Sequence, residues 1–476
     1  MPAHRRARSV RSSVSVRRHI RARSAATARH SVCCHSSPRR RSRSVRARSS
    51  YGLNSFAVRN GERRRVVVTG LGMVTPLGND VASTWDGLVS GRSGIGPITT
   101  FDTSALETKI AGEVRGFDPL AYQDRKDARR TDRFAQFAIA VAKQAMADAS
   151  FSADRQSEAA GAVGVMWSSG VGGIQTVVEN VHVLADRGNA RISPFMVPMM
   201  IIDMGAGAVA MQFGLKGPNL AVASACASSA NAIGEAGDII RRGMADVMVA
   251  GGSEAGLIDI AIAAFNQAHA LSRRNDAPQK ASRPFDKLRD GFVFSEGGGA
   301  LLLEELQHAQ GRGARIYAEL VGYGLTADAY HITAPAEHGE GAVRAMRMAL
   351  ADARISPQEV DYINAHGTST PANDGIETEA IKTVFGKHAY ELSVSSTKSM
   401  IGHTLGAAGA IEAAVCVLTM RDGCLPPTIN QEVRDPACDL DYVPNTARKR
   451  DVKVTLSNSM GFGGHNAVLI LRRWDA

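Results

Sequence analysis

The sequence has no Cys-x-x-Cys pair among its six cysteines, and their spacing to histidine suggests no zinc site. Scattered free thiols suit a reducing compartment. No apolar run reaches the ~20 residues a membrane span needs. The longest candidate, 247–265, is broken by Glu254 and Asp259. Acids are almost missing from residues 1–65, which hold 19 Arg, no Lys and only Glu62. The formal charge of +10 therefore belongs to that tail, because residues 66–476 carry 37 basic and 45 acidic side chains, a net of −8. A basic body would point to nucleic acid, and an acidic one removes that class.

What is present is an α/β composition. The 476 residues include 44% hydrophobic side chains and 47 Gly, enough for two or more packed units with many tight turns. Residues 1–65 are expected to be a disordered Arg/Ser-rich tail, since residues 1–50 have almost no large apolar side chain to bury. Such a tail reads as an organelle transit peptide, a translated stretch upstream of the true start, or a basic arm for RNA or anionic surfaces. The first would place the protein in the plastid stroma; a bacterial source would place it in the cytoplasm.

Folding signals begin at residue 65. Residues 66–69 are β-branched and lead into Gly70-Leu71-Gly72, which predicts a buried first strand entering a loop. Helices are predicted over 83–90, with Trp85 and Leu88 inward, and over 133–149, where Phe134, Phe137, Val141 and Ala145 recur at helical spacing. Strand 162–167 follows. Strand 220–223, helix 227–242 and strand 246–250 form a βαβ unit with parallel pairing, and strand 300–304 closes a first half. The second half repeats the theme: strand 318–323, helix 341–353, strand 360–364, helix 374–385, strand 393–395, helix 407–420, and strands 452–457 and 467–471. Two similar α/β halves result, 66–310 and 311–476, without a strong sequence repeat between them.

Three segments carry chemistry. In Val222-Ala-Ser-Ala-Cys226-Ala-Ser-Ser229 a strand runs through small residues to a Cys at a helix N-terminus, where the helix dipole and free N–H groups favour a thiolate. A lone Cys is more often a small core residue. In Asn364-Ala-His366-Gly-Thr368-Ser-Thr370-Pro an imidazole follows an apolar strand, at the edge where parallel sheets gather their sites. A single such His is commonly a satisfied core residue. In Ser395-Ser-Thr-Lys398-Ser-Met-Ile-Gly-His403, leading on to Glu412, a strand passes through a Lys and a His into a helix. Lys398 is expected to be buried and paired with Glu412, because a buried ammonium left alone loses its proton. One thiol, two imidazoles and one ammonium on strand-to-loop boundaries are more telling than any one of them.

With these segments in hand, residues 66–476 resemble the bacterial and plastid β-ketoacyl-[acyl-carrier-protein] synthases I and II of the thiolase-fold superfamily. The resemblance rests also on Val67-Val-Thr-Gly-Leu-Gly-Met-Val-Thr-Pro-Leu-Gly78, Ser282-Arg-Pro-Phe-Asp-Lys-Leu-Arg-Asp-Gly-Phe292 and Asn458-Ser-Met-Gly-Phe-Gly-Gly-His-Asn466. It implies a thiolase-like fold with two similar halves in α-β-α-β-α layers. It implies that Cys226 takes the growing acyl chain, and that His366 and His403 polarise a malonyl thioester and stabilise the enolate left by CO₂. Lys398 with Glu412 would hold the histidine region. Thr368 and Thr370 would bind the phosphopantetheine arm, Val171 would limit acyl pocket depth, and Phe462 would gate the pocket and share an oxyanion hole with the Cys226 N–H. The substrates ride on an acyl carrier protein, no metal or other cofactor is called for, and a homodimer is expected, to which the Met- and Ala-rich residues 198–212 also point, unless that segment is plain core.

Departures from the family's usual residues are Ser-Ala-Cys226-Ala-Ser-Ser, the run Phe294-Ser-Glu-Gly-Gly298 and Met460; none removes a catalytic group. Rival readings within the fold fare worse. A thiolase would place a second Cys where Gly461-Phe-Gly-Gly-His465 stands, and a type III synthase would carry Asn where His403 stands. A polyketide-type ketosynthase shares the Cys-His-His set. A non-catalytic chain-length partner would lack Cys226. Lys126, Arg129, Arg130 and Arg133 form one basic stretch suited to an acidic carrier, or an ordinary solvated helix face.

Overall fold

The computed structural model describes residues 63–152 and 158–475. The expected tail lies outside the described residues except for its last three. Those arginines are tied to the fold: Arg63 pairs with Asp352, Arg64 with Asp246, and Arg65 with Glu319 at 2.6 Å.

Ten strands build the central sheet. In the first half they are β1 Val66–Val74, β2 Val163–Ser168, β3 Asn219–Val222, β4 Val247–Glu254 and β5 Gly297–Glu305. In the second they are β6 Ala318–Ala327, β7 Tyr362–Asn364, β8 Ser393–Ser395, β9 Val454–Gly461 and β10 His465–Arg473. Their order is β8-β7-β9-β10-β6-β1-β5-β4-β2-β3. Counted outward from the centre, each half runs first, fifth, fourth, second, third. In both, the first, fifth and fourth strands pair antiparallel, and the fourth, second and third pair parallel. The halves meet where β1 pairs antiparallel with β6, Val67 opposite Glu319.

The longer helices are α1 Val81–Val89, α2 Arg133–Asp148, α3 Ile174–Arg187, α4 Met204–Phe213, α5 Ser228–Arg241, α6 Asp259–Gln267, α7 Glu340–Ala353, α8 Asn373–Phe385 and α9 Ala408–Asp422. α5 and α9 pack on each other and on strands of both halves, so they form a middle layer. α2 and α4 cover the outer face of the first half, α7 and α8 that of the second. The result is the thiolase-like α-β-α-β-α layering. Position explains composition here: every residue of α9 from Ala408 to Met420 is buried, so apart from Glu412 and Thr419 it is apolar all round rather than striped. No helix among the described residues is long and apolar enough to cross a membrane.

The first strand departs from expectation. It does not end at Gly70 but continues through Gly72 to Val74. A Cβ at Gly70 or Gly72 would overlap the Ala145 or Val141 carbonyl of α2, so these glycines let the helix backbone approach the sheet. β6 repeats the device: Gly322 and Gly324 lie against the Ala349 and Ala345 carbonyls of α7.

Candidate active site

Cys226 sits in a single 3-10 turn, Ala225–Ala227, between β3 and α5. Ala225 takes φ 50°, a left-handed conformation rare for a side-chain-bearing residue. The β9–β10 hairpin presses on this turn, and only Gly at 461 permits it, since a Cβ there would lie 2.5 Å from the Ser224 carbonyl oxygen. The Phe462 N–H at the hairpin tip reaches the Cys226 sulfur. Burial pushes the thiol up to about 12, with Lys398 pulling the other way. The helix end alone predicts a thiolate; burial outweighs it, and the resting group is a thiol.

His366 follows β7, and its backbone N–H and that of Gly367 each donate at 2.8 Å to the buried carboxylate of Glu377 on α8. Asn458 of β9 donates to the same carboxylate. His403 is pinned by residues 293–295: its N–H donates to Val293 O at 2.8 Å, and its carbonyl accepts from Ser295 N–H. The Phe292 ring meets the His403 ring edge-on, and the two imidazoles lie 5.3 Å apart between centroids, nearly perpendicular. Burial, then the Lys398 ammonium, hold both far below the usual imidazole range; His403 lowers His366 further. Both rings are therefore neutral.

Lys398 and Glu412 are each 1% exposed and form the expected ion pair. Burial raises the Glu412 carboxyl, and the ammonium opposes that rise. The Thr368 and Thr370 hydroxyls hydrogen-bond each other at 3.0 Å. One cavity of about 520 Å³ is lined by Cys226, His366, His403, Thr368, Thr370, Val171 and Phe462. Lys398 and Glu412 lie behind the histidines, outside that lining.

Three buried carboxylates around the site, in two places, were not found from sequence. Glu377 is in one, with its neighbour Asp374, which accepts from the Phe285 N–H at 2.8 Å. Glu254, read only as a break in an apolar run, is in the other. It accepts from Ser169 Oγ, Gly170 N, Val171 N and Gly406 N, tying the Val171 loop to the turn after His403. A carboxylate in an apolar stretch was the available signal, since such a group must find donors. The basic stretch needs one correction. Arg133, half-buried, makes a two-point pair with buried Glu296 and donates to Val114 O, so its charge is already engaged. Arg129 and Arg130 are exposed, Arg130 over the Phe195 ring.

The fold and this cavity define a thiolase-like ketosynthase. Residues 63–309 match the family model "Beta-ketoacyl synthase, N-terminal domain" and residues 317–432 match "Beta-ketoacyl synthase, C-terminal domain". The chain belongs to the β-ketoacyl synthase family. It is 52% identical to 3-oxoacyl-[acyl-carrier-protein] synthase 2 of Synechocystis sp. over 416 residues, 87% of this chain and all of that one. It is 50% identical to the protein of the same name in Coxiella burnetii, over 87% of this chain and 99% of the relative. Among solved structures, a β-ketoacyl synthase from Burkholderia phymatum superposes with TM-score 0.80 at 37% identity, covering 87% and 100% of the chains. A type II polyketide ketosynthase in complex with its acyl-carrier protein gives TM-score 0.80 at 36% identity, with the same coverage.

Proposed function

We propose that this chain catalyses the decarboxylating Claisen condensation of fatty acid elongation, joining an acyl group on Cys226 to malonyl-[acyl-carrier-protein]. The products are 3-oxoacyl-carrier, CO₂ and free carrier. The observation that carries this reading is one cavity lined by a thiol and two neutral imidazoles from opposite halves of the chain.

The chemistry follows from those groups. The Cys226 sulfur bonds to the acyl carbonyl carbon, and the carrier thiolate leaves and takes the thiol proton. In malonyl-carrier the bond to the carboxylate carbon breaks, CO₂ departs, and its electron pair becomes an enolate. Neutral N–H donors from His366 and His403 meet the enolate oxygen, supplying a preorganised electrostatic environment rather than a base. The enolate carbon attacks the Cys226 thioester, and the oxyanion collects between the Cys226 and Phe462 N–H groups. Collapse expels the Cys226 sulfur as a thiolate, which takes up a proton from solvent, and leaves the 3-oxoacyl chain on the carrier. Burial, aided by the Lys398 ammonium that Glu412 holds, keeps both imidazoles unprotonated. Thr368 and Thr370 receive the pantetheine arm, Val171 bounds the acyl end, and Phe462, at a turn with Gly463 and Gly464 at positive φ, gates entry. The nucleophile half spans 66–310 and the histidine half 311–476.

Cys226→Ala is expected to lower condensation by roughly 10⁴-fold or more, as loss of a nucleophile does, while malonyl-carrier decarboxylation persists. Full condensation by that variant would defeat the assignment. The fatty acid reading is favoured over the polyketide one by relatives at 50–52% identity named 3-oxoacyl synthase 2, against 36% for the polyketide ketosynthase. Those relatives are bacterial, which favours a bacterial cytoplasmic setting over a plastid. A homodimer is supported by edge strand β3, where Leu220 is 54% exposed, and by exposed Met211 on α4 and Val197 before it. Light scattering that finds only monomer at micromolar concentration would count against it.

A further inference from the structure

The left-handed residue before the nucleophile needs support, because such a conformation persists only when its surroundings over-determine it. Local bonds supply part. Ser224 N–H donates to Ser228 Oγ at 2.8 Å, and that hydroxyl donates to Ala225 O at 2.6 Å. The remainder comes from the other half of the molecule. Tyr323 of β6 donates from its hydroxyl to Asn231 Oδ1 at 2.8 Å, and Asn231 Nδ2 donates to Ser224 Oγ at 2.6 Å. Asn231 is 8% exposed, Ser224 and Tyr323 5% each. The Tyr323 ring lies flat enough on α5 that a Cβ at Gly234 would strike it, so the ring's place is fixed by packing.

We infer that Tyr323 and Asn231 are positioning residues for the Cys226 thiol. They form a relay that runs from the first strand of the second half, through the helix that follows the nucleophile, to the residue two places before it. The proposal rests on Cys226 being the acyl acceptor. Both relay bonds are buried and join neutral groups, with Glu235 Oε1 a longer second acceptor of the Tyr323 hydroxyl at 3.5 Å, and losing either leaves a polar atom stranded in a dry site. The relay sets where the sulfur stands and does not touch the imidazoles. Its loss therefore slows acyl transfer to the sulfur rather than enolate formation.

The test compares Tyr323→Phe, Ser224→Ala and Ser224→Thr in the full chain. Single-turnover acylation of Cys226 by acyl-carrier is followed by intact-protein mass, which also reports whether Cys226 in the parent protein is acylated at all. Absence of that adduct in the parent would fail the underlying reading and not the relay. Tyr323→Phe and Ser224→Ala should slow acylation by about five- to ten-fold per lost bond, with the Michaelis constant for the carrier unchanged. Ser224→Thr, which keeps the hydroxyl, should recover most of the rate. Introduced into Cys226→Ala protein, Tyr323→Phe should shift malonyl-carrier decarboxylation by less than about two-fold, the scatter expected of uncoupled sites. Unchanged acylation in both Tyr323→Phe and Ser224→Ala would overturn the relay. So would an equal fall in decarboxylation, which would mark the tyrosine as general support of the fold. Where Tyr323→Phe fails to fold, the Ser224 pair decides alone.

Discussion

The two halves share a strand order, a pairing pattern and a Gly-x-Gly contact between first strand and outer helix, yet they deliver different chemistry. The turn before the central helix shows how. In the first half it is Ala225–Ala227, leading into α5; in the second it is Leu405–Ala407, leading into α9. Both begin with a left-handed residue, φ 50° at Ala225 and 44° at Leu405. The middle position is Cys226 in one and Gly406 in the other. Cys226 projects a thiol into the cavity. Gly406 has no room for a side chain, since a Cβ would overlap Glu254 and the Gly170 nitrogen, and it offers its N–H to Glu254 instead. The equivalent turn thus carries the proposed nucleophile in one half and a structural tie in the other, where His403, one of the two proposed catalytic imidazoles, stands three residues earlier.

Breaking the second half's charge support should have the largest effect. Lys398→Met leaves Glu412 buried without a counter-ion, which costs about 3–5 kcal/mol. Urea unfolding should show that loss, and Lys398→Met with Glu412→Leu should recover much of it. The ammonium also helps hold His366 and His403 below their ordinary range. Without it the imidazoles titrate at higher pH, so the acid limb of the decarboxylation profile should move upward. An unmoved limb would remove Lys398 from control of the histidines.

Acid and base should load the halves in opposite directions. In the first, burial would raise the Glu304 carboxyl, but hydrogen bonds from Arg312, His308 and Thr69 prevail and hold it near about 2, from 4.5. A depressed folded pKa gives stability that is present above 4.5 and lost as pH falls toward 2. In the second, burial raises Asp374 from 3.8 to about 6, against donation from the Phe285 N–H. A raised folded pKa gives stability that is present below 3.8 and lost as pH rises through 6. Each contributes about 3 kcal/mol. Glu304→Gln should flatten the unfolding free energy below pH 4.5, and Asp374→Asn should flatten it between 3.8 and 6. If either variant keeps the parent slope, the carboxylate assigned to that half is not its source.

How much of this was legible follows from what each residue contacts. Cys226, His366 and His403 announce themselves because small residues flank them at strand ends, and a chain needs such flanks only where something must approach. Lys398 with Glu412 was legible because a Lys inside an apolar and hydroxyl segment has to find an acid. Glu377 and Glu254 were not, since their partners are mainly backbone N–H groups contributed by the fold rather than by a complementary side chain. Gly70 and Gly72 suggest the start of a loop, yet lie within the strand, because glycine in a sequence does not say whether it serves conformation or closeness. The same ambiguity hid the internal repeat: Gly70-Leu71-Gly72 and Gly322-Tyr323-Gly324 are equivalent, but only the helix carbonyls against them show it. Gly72→Ala and Gly324→Ala sharpen that equivalence. Each should cost at least about 1–3 kcal/mol by overpacking, and denaturation midpoints that fall for one and not the other would end it.

The smallest effect concerns the surface. Of the four cations in the 126–133 stretch, Arg133 is paired with Glu296, and a substitution there would leave that buried carboxylate unpaired rather than report on docking. Lys126, Arg129 and Arg130 remain exposed on the first half, the half that carries Cys226. Rim charges act on encounter more than on the bound state, by a few tenths to about 1 kcal/mol each. Arg129→Glu with Arg130→Glu should therefore raise the Michaelis constant for acyl-carrier several-fold, up to about ten-fold, at low salt. The effect should shrink as added salt screens the pair, and the maximal rate should hold. Acyl transfer from a pantetheine thioester without its carrier protein should be unaffected, because no acidic surface is then recognised. A rise in that small-substrate constant would relocate the defect from the surface to the cavity.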